Sequence, residues 1–166
     1  YWLNQSPRNE DDFYQKMYMK STFRKFETVF IKTKIFFLSK RQTAAVKLRA
    51  EDQTLNNLII DAIQDIKGKN IVKLDLRHID DAPADFFIIC EGDSTTQIKA
   101  ISLNIEKRCR EELALKSIHV EGLLGAKWVL VDFFNTVVHV FYPETREYYD
   151  LEDLWSDAEV TSYKDV

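Results

Sequence analysis

The 166 residues carry 23 Lys+Arg against 27 Asp+Glu, a net charge of -4, and 45% of the side chains are apolar. That length suits one domain and the apolar share suits a real core, while no run reaches the ~18 apolar residues that a membrane-spanning helix needs. The charge is divided unevenly: residues 1–50 hold 11 basic and 4 acidic side chains (+7), and residues 51–166 hold 12 and 23 (-11). Nucleic-acid affinity is built from Lys and Arg neutralising phosphates, so the acidic part is a poor generic RNA binder. A basic protein surface suits it better.

Residues 1–50 do not read like a domain. Phe23–Leu38 mixes Phe23, Phe26, Val29, Phe30, Ile31, Ile35, Phe36 and Phe37 with lysines, in neither a period of 2 nor one of 3.6. Three readings stay open: sequence upstream of the natural protein, a disordered or partner-ordered basic tail, or an organellar targeting segment. Glu10-Asp11-Asp12 argues against the last, because transit peptides are poor in acids. The first residue is Tyr1, and Met17, Met19 and Val46 are candidate starts.

From about Gln53 to Trp155 the signals are clean. Leu55, Leu58, Ile59, Ala62, Ile63 and Ile66 lie at the spacing of one helix face, and Gly68 is placed to end that helix in the left-handed conformation. Ile71–Leu76 reads as a strand. Phe86–Cys90 is a continuous apolar run, as in a strand buried on both faces. Gly92-Asp93-Ser94 is a turn, and Ser94-x-x-Gln97 is a capping-box pattern that opens a helix to about Leu113 with Ile98, Ile101, Ile105 and Cys109 inward. Ile118–Val120 is a short strand. Trp128–Asp132 and Thr136–Tyr142 form a hairpin around Phe133-Phe134-Asn135. Glu144–Trp155 should form short helical segments. The expected architecture is one α/β domain, a mixed sheet with flanking helices, over residues 51–158, followed by a tail over 159–166.

Few constellations carry chemistry. His78, His119 and His139 are far apart and make no metal-binding motif. His139 reads as a structural histidine or a partner contact. Cys90 and Cys109 lie outside any CxxC pair and read as reduced core thiols, which suits a reducing compartment. Ser94 has a complete explanation as a helix cap. Phosphate binding at that helix start is the alternative, opposed by Glu91 and Asp93. Asp80-Asp81 reads as a solvated loop. The order strand, Gly-x-Ser, helix, strand resembles the opening of the nucleotidyltransferase superfamily, whose next strand carries a metal-holding carboxylate pair. Ser117-Ile118-His119-Val120 carries none. No catalytic residue, metal or cofactor is therefore expected.

The stretch 126–155 is the most distinctive. Side chains alternate along a strand, so Trp128, Leu130 and Asp132 share one face, as do Val137, His139 and Phe141. An aromatic ringed by polar groups is either an ordinary core edge or an interface hot spot.

Here the sequence resembles the ribosomal silencing factor family, RsfS or Iojap-like. The resemblance rests on Trp128-Val129-Leu130-Val131-Asp132, Val137-Val138-His139-Val140-Phe141 and Arg146-Glu147-Tyr148-Tyr149-x-Leu151-Glu152-x-Leu154-Trp155. It extends upstream through Asp85–Ser94 and Val120-Glu121-Gly122, over roughly Thr54 to Ala158. It implies a nucleotidyltransferase-like fold without catalytic carboxylates, and a cytoplasmic factor that is not an enzyme. It further implies binding to the L-fourteen protein of the large ribosomal subunit, blocking small-subunit joining and repressing translation when nutrients are scarce, with a link to large-subunit assembly. The partner contacts it implies are Trp128, Asp132, His139 and Phe141, with Tyr149, Leu154 and Trp155. Neither a membrane nor direct nucleic-acid specificity is expected. An adaptor or assembly factor without silencing, a nucleotide-dependent enzyme, and a homodimer through an exposed strand remain as alternatives.

Overall fold

A computed structural model of the protein describes residues 45–80 and 82–166, with side chains from Asp52 onward. The readings made above for residues 1–44 and for Asp81 lie outside the described residues. Among the described residues six strands form one mixed sheet: β1 (Lys69–Asp75), β2 (Phe86–Glu91), β3 (His119–Glu121), β4 (Trp128–Asp132), β5 (Thr136–Phe141) and β6 (Glu159–Ser162), in the order β3-β4-β5-β2-β1-β6. Only β2 and β5 pair in parallel, with Ile88 opposite Val138 and Ile89 opposite His139. The other four pairings are antiparallel. Among the described residues four helices accompany the sheet: α1 (Ala45–Asp65), α2 (Thr95–Leu113), α3 (Pro143–Tyr149) and α4 (Leu151–Leu154).

Alternation along the strands divides the sheet into two faces. One presents Ile71, Ile88, Cys90, Val129, Val131, Val138 and Val140 to the α1 stripe and to Ile98, Ile101, Ile105 and Cys109 of α2. All four of those α2 residues are fully buried, as the periodicity requires. Two polar bonds fix the helices in register: Thr136 Oγ1 donates to Asn56 Oδ1 at 2.6 Å, and Asn104 Nδ2 donates to the Ala62 carbonyl at 2.9 Å. The opposite face carries Leu74, Phe87, Ile89, Val137, His139 and Phe141, all buried, with Trp128 beside them. There α3 and α4 supply part of the cover: Trp155 meets Phe87 edge-on and Tyr149 packs on Trp128.

Several details differ from the sequence reading. Helix α1 already begins at Ala45, so no structural break falls at residue 51. Lys67, not Gly68, takes the left-handed conformation after α1 (φ 56°). Gly68 is required for another reason. Its amide donates to the Ile63 carbonyl at 2.9 Å, and a Cβ there would sit 2.3 Å from Ile63 Cγ2. The expected tail is also corrected: Glu159–Ser162 is strand β6, paired with β1 through Val72–Ser162 and Leu74–Val160. Tyr163 N–H continues the pairing to the Ile71 carbonyl at 2.9 Å. All four β6 residues are exposed, so backbone pairing holds the strand and no apolar pattern advertises it.

The capping prediction is met with an addition. Ser94 Oγ accepts from Gln97 N–H at 3.2 Å, and Gln97 Oε1 accepts from Asp93 N–H at 2.7 Å. Gln97 Nε2 reaches the other way, donating to the carbonyls of Ile66 and Lys67 at 3.0 Å each. One side chain thus satisfies orphan backbone groups at the start of α2 and at the end of α1.

Candidate functional site

Two carboxylates flank the turn between β2 and α2, each with a basic partner: Asp93 pairs with Lys69 at 2.7 Å and Glu91 with Arg146 at 2.9 Å. Strand β3, starting at His119, does bring in one carboxylate that the sequence reading left off the strand. Glu121 lies on the same face as Asp132, and its Oε1 is 2.7 Å from His119 Nε2. No group of three His, Cys, Asp or Glu able to hold a metal ion occurs among the described residues. Both thiols are buried, and burial pushes each up to about 12, so they stay protonated and unreactive at neutral pH.

The aromatic face has a more developed geometry. Trp128 is half-buried. Its ring stacks on Phe141 at 4.9 Å and packs against Tyr149 at 4.9 Å and His139 at 5.8 Å. Its indole N–H donates to His139 Nδ1 at 3.2 Å. An indole only donates, so Nδ1 must accept, and a neutral imidazole then carries its proton on Nε2. His139 is fully buried, and burial lowers it to about 3. Phe87 meets its ring edge-on at 4.7 Å.

The residues implied by the resemblance therefore divide. Trp128, Tyr149 and Leu154 keep accessible surface, Leu154 being 46% exposed. His139 and Phe141 have none, so they support the Trp128 ring from beneath and do not themselves meet a partner in this conformation. Asp132 is 5% exposed, and its Oδ1 accepts from Phe134 N–H at 2.7 Å, which stabilises the tight hairpin turn where Phe134 has φ 75°. Burial holds the Asp132 carboxyl above the usual range, with the Phe134 bond and nearby His119 pulling the other way. Trp155 is half-buried against Phe87, and its indole nitrogen has no hydrogen-bond partner among the described residues.

Sequence reasoning missed two contributors. Tyr148 is 39% exposed and meets Tyr149 edge-on at 5.0 Å. Arg146 fixes α3 to the sheet, donating to Glu91 Oε1 at 2.9 Å, to the Asn70 carbonyl at 2.7 Å and to Glu152 at 2.8 Å. A lone base amid Glu144, Glu147, Asp150, Glu152 and Asp153 was the available signal. Once its charge is consumed, α3 and α4 present an acidic surface beside the half-buried Trp128. A shallow depression lined by Glu91, Glu144, Arg146, Glu147, Asp150 and Glu152 lies on it.

The family described as "Ribosomal silencing factor during starvation", RsfS, matches residues 49–166. The chain belongs to the RsfS family. It is 38% identical over 115 residues to the ribosomal silencing factor RsfS of Halalkalibacterium halodurans, covering 69% of this chain and 97% of that one. It is also similar to a mouse protein named mitochondrial assembly of ribosomal large subunit protein 1, with 38% identity over 77 residues, 43% of this chain and 32% of that one. The fold matches a crystal structure of a Chromobacterium violaceum protein at a TM-score of 0.60 and 38% identity, over 63% of this chain and 85% of that one. The RsfS match extends through β6 to Val166, which agrees with the pairing of that strand in the sheet.

Proposed function

We propose that this chain is a ribosomal silencing factor that docks through its Trp128 face on the L-fourteen protein of the large ribosomal subunit. Bound there, it blocks joining of the small subunit and so represses translation under nutrient limitation. Family membership supports the ribosomal reading. The observation that carries the docking face is Trp128 itself: a half-exposed indole held rigidly on a buried His139–Phe141 bed, beside acidic helices suited to a basic protein. Large aromatics on a fixed bed with a polar rim are what interface hot spots are made of. We take Trp128, Tyr149 and Leu154 as contacts, add Tyr148, and assign Asp132, His139, Phe141 and Trp155 to shaping the face.

The same reading makes the protein a non-enzymatic, cytoplasmic factor on a nucleotidyltransferase-like fold. The Gly92–Ser94 turn and α2 support that fold label, and the non-enzymatic reading is supported by β3, which carries one carboxylate, Glu121, where metal-dependent nucleotidyl transfer uses a pair. No helix among the described residues is long and apolar enough to cross a membrane.

Sucrose gradients of ribosomes with added protein test the proposal. Fewer joined ribosomes, and recovery of joining with Trp128→Ala, is the expected outcome; joining that is unaffected by the wild-type protein would overturn it. A role in large-subunit assembly without silencing is the second reading, favoured by the name of the mouse relative. It predicts cosedimentation with large subunits and unchanged joining.

A further inference from the structure

We infer that His139 is a positioning residue whose Nδ1 aims the Trp128 indole, a role kept at the expense of stability. The inference rests on the reading of Trp128 as a docking residue. Three observations carry it. The indole N–H of Trp128 donates to His139 Nδ1 at 3.2 Å, which pins the ring in its plane while Phe141 supports it from below. That bond commits the imidazole proton to Nε2, and Nε2 is buried with no hydrogen-bond partner among the described residues. Finally, His139 is the one polar side chain among the six residues of β5 beyond Thr136, in a strand where every residue is buried.

The energetic consequence separates this role from a merely structural one. A buried donor without an acceptor is destabilising, because its desolvation is not compensated. A phenylalanine would remove that donor, and the Trp128 N–H that loses its acceptor belongs to a half-buried ring and can turn to water. The strand would therefore be at least as stable without the histidine. What only an acceptor at this position supplies is the direction of the indole. Protonation would remove the acceptor, but burial among aromatic rings resists it, so the bond holds across the neutral range.

The experiment compares the full chain with His139→Phe, His139→Asn and Trp128→Ala. Asparagine places a side-chain acceptor near the position of Nδ1; phenylalanine places none. In the free protein, the Trp128 indole N–H resonance, assigned by its loss in Trp128→Ala, should move upfield and exchange faster with water in His139→Phe and stay near its wild-type position in His139→Asn. His139→Phe should melt at or above the wild-type temperature yet bind purified large ribosomal subunits about tenfold more weakly, the worth of one orienting hydrogen bond. His139→Asn should bind within about threefold of wild type. Wild-type affinity in His139→Phe, together with lost affinity in Trp128→Ala, would overturn the inference and leave the docking reading standing. So would an unmoved indole resonance, a large fall in melting temperature for His139→Phe, or equal loss of affinity in both histidine variants. Should Trp128→Ala itself bind like wild type, the docking reading fails, and with it the claim that this aiming serves docking.

Discussion

The two faces of the sheet are built on different principles. Beneath α1 and α2 the side chains are mainly Ile, Leu, Val, Ala and Cys, interlocked and buried, and the polar groups there are paired: Asn56 with Thr136, Ser102 with the Ile98 carbonyl. Beneath α3 and α4 the side chains are mostly aromatic, the Trp128 ring is half-buried, and His139 Nε2 and Trp155 Nε1 are buried without partners among the described residues. The first face is arranged for stability. The second carries costs that stability alone would not select, which is the pattern expected where a surface must meet something else.

Substitutions can break or sharpen that contrast. The largest effect is expected on the helical face: Ile101→Ala, at a fully buried position, should cost about 3 to 4 kcal/mol of stability through lost contacts and a residual cavity. Denaturant unfolding measures it, and large-subunit affinity of the folded fraction should be unchanged. Acid should strike the aromatic face next. Burial lowers His139 from 6.5 to about 3, so below pH 6.5 the unfolded chain takes up a proton that the buried ring does not, and stability, at its full value above pH 6.5, falls as pH drops toward 3. That amounts to on the order of 3 kcal/mol by pH 4. Asp132, raised by burial, works in the opposite direction. Melting curves from pH 7 to 4 should show the loss, and His139→Phe should remove most of it.

Trp128→Ala should weaken large-subunit binding by about 2 kcal/mol or more while costing less stability than Ile101→Ala, because the ring is only half-buried. Cosedimentation and thermal melting together check the pair. Smallest should be Ser94→Ala, which removes the Oγ acceptor for Gln97 N–H and should cost about 1 kcal/mol in chemical unfolding, with binding unaffected.

What was legible in the sequence was local. The α1 stripe, the all-apolar β2, the Ser94 cap and the hairpin around Phe134 each follow from a short pattern with one physical meaning, and each is found where it was expected. Strand β6 was not legible, since Glu-Val-Thr-Ser contributes backbone pairing and almost no apolar surface. Nor was the handover of the left-handed position from Gly68 to Lys67, because the glycine is needed by the Ile63 side chain a turn away. Alternation grouped Trp128 with Leu130 and Asp132, and His139 with Val137 and Phe141; the register that sets Trp128 opposite Phe141 joins the two sets on one face. Alternation could not say which of Trp128 and His139 is open, because that depends on where α3 and α4 fold back over the sheet. That placement is decided in part by Arg146 reaching Glu91 across 55 positions of chain.

Gln97 ties two timescales together. Its amide closes the first turn of α2 and also the last carbonyls of α1, so neither helix end can fray without releasing the same side chain. Amide hydrogen exchange at Asp93, whose N–H it accepts, should therefore keep pace with opening at the end of α1. Two segments thirty residues apart in sequence then behave as a single latch on one clock.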